Sequence, residues 1–350
     1  MKRKIICVIL SAALLVSLML SSCAVTTTQK NKYSTQSFDY FDTVSIITGY
    51  EETQEAFDAV ADDILSQLSE YHKLYSIYHR FEGLENLCTI NELVDGEHRT
   101  VTVDKRIIDM LLYATEMYSA TDGMLNIAMG SVLSLWHDYR TIGKDEPAEA
   151  SLPPKDKLLT AAEHTDISKI VIDEENSTVT LTDSEMKLDV GAIAKGYATE
   201  QIAKSLEAKG VSGYVLNIGG NVRTIGLRGD GTKWVAGIEN GNGGDYLAYL
   251  ELSGQSVVTS GSYQRYYIVD GKKYHHIIHP DTLMPAEGFL SVSVVAVDSG
   301  KADALSTALF CMSIEDGQQL IASMPDTEAM WVSEDGAITV SDGWNSYVKK

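Results

Sequence analysis

The sequence predicts an α+β fold, and three observations carry the prediction. Segments of strand composition outnumber segments of helical spacing. Many neighbouring strands are separated by short Gly/Asn/Asp turns, which favours antiparallel pairing over a doubly wound parallel sheet. The chain of 350 residues is 44% hydrophobic and 22% charged, enough apolar material for a sizeable core in one large or two smaller domains.

The elements follow in order. Lys2, Arg3 and Lys4 precede an apolar run from Ile5 to Leu20, the pattern of a secretory signal rather than a stable membrane span. Leu20-Ser21-Ser22-Cys23 resembles the bacterial lipobox. Residues 1–22 are therefore expected to be a lipoprotein signal peptide, and Cys23 the lipidated residue. Residues 23–37, polar and without periodicity, read as a flexible tether, leaving 38–350 as the folded part. That address implies the extracytoplasmic face of a bacterial cell membrane, held by lipid. Phe38–Tyr50 is β-rich and stops after Gly49. Phe57, Val60, Ile64, Leu68, Tyr71 and Tyr75 lie three or four apart and predict a helix over 54–78. Further helices are predicted over 104–119, 195–209 (capped by Gly210) and 302–312. Strands are predicted at 169–173, 178–182, 213–218, 233–238, 246–252, 264–269 and 290–297.

Acidic residues number 49 against 28 basic ones, a formal charge of −21. Such a surface disfavours nucleic acid and anionic lipid headgroups. An anionic substrate would then call for neutralisation by something other than surface lysine and arginine, with a divalent cation the first candidate. Apart from Cys7 in the signal, Cys23, Cys88 and Cys311 give no CxxC or Cys/His zinc spacing. Cys88 and Cys311 are expected to be buried thiols.

Four motifs could carry chemistry. Lys187–Glu200 (KLDVGAIAKGYATE) ends a strand at Val190 and brackets a helix start with Gly191 and Gly196, offering carbonyls before the helix and N–H groups in its first turn. Gly219-Gly220 closes the strand Tyr-Val-Leu-Asn-Ile, where paired glycines permit a ligand to approach the backbone. In Tyr274-His-His-Ile-Ile-His-Pro, a strand would place His275 and His279 on one face and His276 on the other. A three-histidine zinc site is then awkward, whereas His276 alone could act as acid, base or donor. In the last predicted helix Asp303 and Thr307 share a face, a hard-oxygen pair suited to Mg²⁺. A plain structural use of each motif is equally compatible with its residues taken singly.

Together, in order, with FDTVSIIT, LYSIYHRFEGLENLCTIN, TDGMLNIAMGSVLSLW (121–136), VVTSGSYQRYY and KADALSTALF, these segments resemble the ApbE family of flavin transferases across nearly the whole mature chain. The resemblance implies a single ApbE-like, T-fold-related catalytic domain with mostly antiparallel sheets and packed helices. It implies Mg²⁺-dependent transfer of FMN from FAD to a Ser or Thr hydroxyl of an exported or membrane-bound electron-transfer subunit, leaving a phosphoester and AMP. By the same resemblance, the Ala192 carbonyl, Asp303, Ser306 and Thr307 surround the metal. Ser76, Tyr78, Asp122, Lys195, Gly219, Gly220, His276 and Ile277 contact FAD, and His276 orients or deprotonates the hydroxyl. The chain departs from the family at Phe41-Asp42-Thr43, where Met-Gly-Thr is common, and at His279, where an Asp is common. Two other readings use the same residues: an Mg²⁺-dependent FAD pyrophosphatase giving FMN and AMP, and a flavin-binding lipoprotein without turnover.

Overall fold

The computed structural model describes residues 30–350; the signal segment and Cys23 lie outside them. One eight-stranded antiparallel sheet organises the chain: β1 (Asn31–Tyr40), β2 (Thr43–Glu51), β3 (Tyr214–Ile218), β4 (Asn221–Ile225), β5 (Ser256–Gly261), β6 (Phe289–Ala296), β7 (Glu328–Ser333) and β8 (Ile338–Val340). These strands lie side by side in chain order. Helices α1 (Gln54–Tyr75), α2 (Leu87–Asn91), α3 (Lys105–Ala120), α4 (Gly130–Asp145), α5 (Lys155–Ala162), α6 (Ala194–Ala208), α7 (Ser299–Phe310) and α8 (Ile314–Ala322) complete it, with smaller two- and three-stranded sheets.

Strands β6 and β7 are buried on both faces, and their alternation sorts side chains between two cores. Val292, Val294, Ala329 and Trp331 face the core shared with α1, α6 and α7, while Val295, Met330 and Val332 face a second core closed by the hairpin Trp234–Ile238/Ala248–Leu252. A third cluster joins Val132 and Trp136 of α4 to Leu158, Tyr267, Ile278 and Leu283.

The segment read as a tether needs correction. Residues 31–37 belong to β1, which pairs with β2 from Asn31↔Glu51 to Tyr40↔Thr43. Its inward positions Tyr33, Thr35 and Ser37 alternate with exposed Lys32, Ser34 and Gln36, a polar pattern suited to an edge strand with one solvated face. The single β-rich stretch expected at 38–50 is thus the end of β1, a turn at Phe41-Asp42 (φ 55° and 50°) and β2. The first helix stops at Tyr75 rather than 78, because Ser76 turns extended and accepts Cys88 N–H at 2.9 Å. Asn86 then binds the Lys73 and His79 carbonyls at 2.9 and 2.8 Å, ending the helix by capturing carbonyls near its last turn. Cys311 is buried but Cys88 only half-buried, and both are free thiols. Among the described residues, no helix is long and apolar enough to cross a membrane.

Candidate active site

The first turn of α6 and the body of α7 meet at unusually short range because position 196 has no side chain. A Cβ on Gly196 would lie 2.4 Å from both Asp303 Cβ and Ser299 O. The contact lets Gly196 N–H, one of the orphan donors that open every helix, donate to Asp303 Oδ2 at 2.8 Å. Ile193 is the N-cap, and its carbonyl accepts the first bond of α6 from Tyr197 N–H. The Ala192 carbonyl, one residue earlier, stands outside that helical ladder.

Around this junction is a cavity of about 250 Å³. Ala192, Lys195, Asp303 and Thr307 form one wall, and β5 contributes Thr259 and Ser260. Thr43 and Gly219 add the sheet end, and His276 and Ile277 the segment after the strand Lys272–His275. Tyr78 and the α4 residues Trp136, His137 and Arg140 close the far side. Lys195 Nζ lies 3.6 Å from Asp303 Oδ2 and donates to Gly191 O at 3.3 Å. Ser260 Oγ is 3.2 Å from Thr307 Oγ1 and 2.8 Å from Ser306 Oγ.

Electrostatics follow from burial. Burial pushes the Asp303 carboxyl above the ordinary carboxylate range, against the opposing pull of Lys195 and the Gly196 N–H. Asp189 is raised for the same reason, opposed first by the Gly191 N–H. His276 goes the other way: burial, then the positive fields of Arg265 and Arg140, bring its pKa down to about 3. Its Nδ1 is buried without a partner, as is Oδ1 of Asn221, another residue of the lining.

Of the residues expected at the site, Tyr78, Ala192, Lys195, Gly219, His276, Ile277, Asp303 and Thr307 line this one cavity. Ser76, Asp122, Gly220 and Ser306 are not in its lining. Ser76 instead caps the turn after α1, accepting His79 N–H at 3.1 Å. Asp122 sits exposed in a left-handed turn (φ 49°) after α3, and the wall is made by Met124, Leu125 and Asn126 just beyond it. Gly220 donates to Asn217 Oδ1 at 2.9 Å, shaping the turn whose Gly219 faces the cavity. A Cβ on Gly219 would meet Thr43 Oγ1 at 2.4 Å. Ser306 Oγ donates to the Asp303 carbonyl at 2.9 Å, behind the wall. At the two departures, Phe41 packs edge-on against His72 and donates its N–H to that ring. His279 Nδ1 accepts Asp281 N–H at 3.1 Å, the work of a turn residue.

Sequence reasoning missed Asp189, Asn221, Arg140 and Arg265, all in the lining. Asp189 stood inside the motif already singled out, beside Gly191. Arg140 and Arg265 add two basic side chains to the expected Lys195.

The sequence model of the ApbE family matches residues 41–331. The chain belongs to the ApbE family. Its relatives include the FAD:protein FMN transferase of Klebsiella pneumoniae (strain 342), 30% identical over 288 residues, covering 77% of this chain and 87% of the relative. The protein of the same name from Treponema pallidum (strain Nichols) is 34% identical over 259 residues, 69% of this chain and 70% of that one. Among solved structures, the ApbE protein of Thermotoga maritima superposes with a TM-score of 0.79 at 29% identity, over 91% of this chain and all of that one. The flavin transferase ApbE of Vibrio cholerae shares the fold (TM-score 0.75, 23% identity, 91% of this chain and 99% of that one). The single α+β unit expected from the sequence is thus the ApbE fold.

Proposed function

We propose that this ApbE-family chain is an FAD:protein FMN transferase, moving the FMN part of FAD onto a Ser or Thr hydroxyl of an acceptor protein with release of AMP. The observation that carries the reading is the convergence of Ala192, which precedes α6, with Asp303 and Thr307 of α7 on one cavity shared with Lys195 and His276. The family's named activity in its relatives agrees with it.

The donor set fits a hard divalent cation. A carbonyl outside its helical ladder, a buried carboxylate and a hydroxyl are the oxygen ligands Mg²⁺ takes, with substrate phosphates and water completing the shell. Ala192, Asp303 and Thr307 would hold it, and a bound Mg²⁺ would neutralise diphosphate charge as a Lewis acid. Ser306, tied to the Asp303 carbonyl, fixes the turn between two of these ligands.

Chemistry by the chain's own residues is positioning and proton handling. The acceptor Oγ attacks the FMN-side phosphorus; that P–O bond forms as the bond to the AMP phosphate breaks, and AMP leaves with the electron pair. His276 receives the hydroxyl proton. Burial favours its neutral imidazole, a weak base in the empty cavity, and an adjacent dianionic diphosphate would raise its basicity on binding. Lys195 Nζ, held near Asp303 and the Gly191 carbonyl in the cavity lining, would pair with phosphate oxygen there.

Location belongs to the same proposal: Cys23 carries lipid, and the folded unit works on the extracytoplasmic face of the cell membrane, where exported electron-transfer subunits are its acceptors. The lipobox-like Leu-Ser-Ser-Cys supports this.

The test is to incubate the protein with FAD and Mg²⁺, with and without a threonine-bearing acceptor protein. Acceptor-dependent AMP release with covalent flavin on the acceptor is the expected result, and Asp303→Ala should lower it at least about a hundredfold while circular dichroism is unchanged. FMN release without acceptor would make the chain a pyrophosphatase, and unaltered bound FAD a binding protein.

A further inference from the structure

Seven arginines lie among the described residues, in a chain with 49 acidic side chains. Five of them, Arg80, Arg99, Arg106, Arg223 and Arg228, are ion-paired within 4 Å. The two that have no carboxylate within that distance, Arg140 and Arg265, are the two that line the cavity. With acids in such excess, an unpaired guanidinium is the exception, and half-burying one without a counter-ion carries a desolvation cost. Arg140 is half-buried, and its one close side-chain partner is His137 Nδ1, at 3.1 Å.

The two are brought together by packing. Arg140 and Gly143 are three apart on α4 and share a face. A Cβ on Gly143 would lie 2.6 Å from Tyr267 Cδ2, so the helix is pressed onto the strand Tyr266–Val269, which begins immediately after Arg265. Trp136, one turn earlier on α4, donates its indole N–H to Leu283 O at 2.9 Å and fixes the helix against the same layer. Burial lowers the pKa of Arg140, and the positive field of Arg265 adds to that.

We infer that Arg140 and Arg265, carried by elements other than the helix of Asp303 and Thr307, form an anion-receiving pair for the diphosphate of the dinucleotide in the same cavity. This rests on the FAD reading above and assigns its phosphate contacts to two residues that the motif analysis did not select. Guanidinium forks match phosphate oxygens in geometry and charge. Arg140, Lys195 and Arg265 face Asp189 and Asp303, an excess of one positive charge before any cation is added. A dianionic diphosphate reverses that excess to one negative charge, which leaves room for a divalent cation. An acceptor carboxylate is the competing occupant, and the test separates the two.

The experiment is flavin-fluorescence titration of the full chain with FAD and with riboflavin, which has the ring but no phosphate, with Mg²⁺ and with EDTA. In Arg140→Gln/Arg265→Gln, FAD affinity should fall by at least about tenfold while riboflavin affinity stays within about twofold, in both buffers. Equal losses for both ligands would put the arginines against the ring and overturn the assignment. Unchanged FAD affinity overturns it too, and a raised KM for acceptor alone would give them to the acceptor. Failure of the wild type to flavinylate any acceptor would defeat the transferase reading yet leave this binding comparison intact.

Discussion

His276 is the residue whose chemistry the fold alters most. The sequence places it alone on one face of a short strand. The structure adds that its ring is buried with an unpartnered Nδ1, and that burial and two arginines depress its pKa to about 3. A histidine depressed when folded stabilises the fold above its unfolded pKa and withdraws that stability as pH falls toward the folded value. Between pH 7 and 5 the unfolded chain takes up this proton and the folded chain does not. The wild type should therefore lose about 2 kcal/mol that His276→Gln retains. Urea titrations of both proteins at the two pH values check this; parallel losses would mean the imidazole is not held neutral. Asp303 carries the opposite sign, since a carboxyl raised by burial makes the apo fold less stable as pH rises through that value. Arg140 and Arg265 were illegible at this scale. Nothing in a lone arginine says that it lacks a carboxylate partner.

Among elements, α6 and α7 decide the site. Their approach depends on Gly196, whose replacement would overlap two atoms of α7. It is held from the far end by Glu200, which is buried with Arg223 (Nε–Oε2 2.9 Å) and accepts Ser299 N–H at 2.8 Å. Gly196→Ala should therefore cost about 1–3 kcal/mol by overpacking, and Glu200→Gln should loosen the opening of α7. Both should weaken Mn²⁺ affinity, read by electron paramagnetic resonance, more than they change riboflavin affinity. Equal effects on the two ligands would reduce them to general stability. The helices α1, α3, α6 and α7 were legible because their apolar spacing is regular. Helix α4 was not: it starts at Gly130 with no side-chain cap, the glycine being required because a Cβ there would meet Lys187 O at 2.4 Å. A tertiary contact replaces the local start signal, and Arg140 was hidden with the helix. Residues 31–37 failed for a related reason, as an edge strand with one wet face has tether-like composition.

At the scale of the molecule, the sheet runs in chain order from β1 to β8, yet its cavity gathers residues from Thr43 to Thr307. Motif order along the chain announced the family and nominated eight residues that line the cavity, because glycines and the Asp303/Thr307 pair act through short-range geometry. Asn221 and Arg265 enter through long-range pairing and helix packing, which spacing does not encode. On the proposed function, Ala192, Asp303 and Thr307 form one cation site. A crystal soaked with FAD and Mn²⁺ should show an anomalous peak bounded by the Ala192 carbonyl, the Asp303 carboxylate, the Thr307 hydroxyl and the diphosphate oxygens. A manganese ion found elsewhere, with flavin bound and these three groups empty-handed, would contradict it.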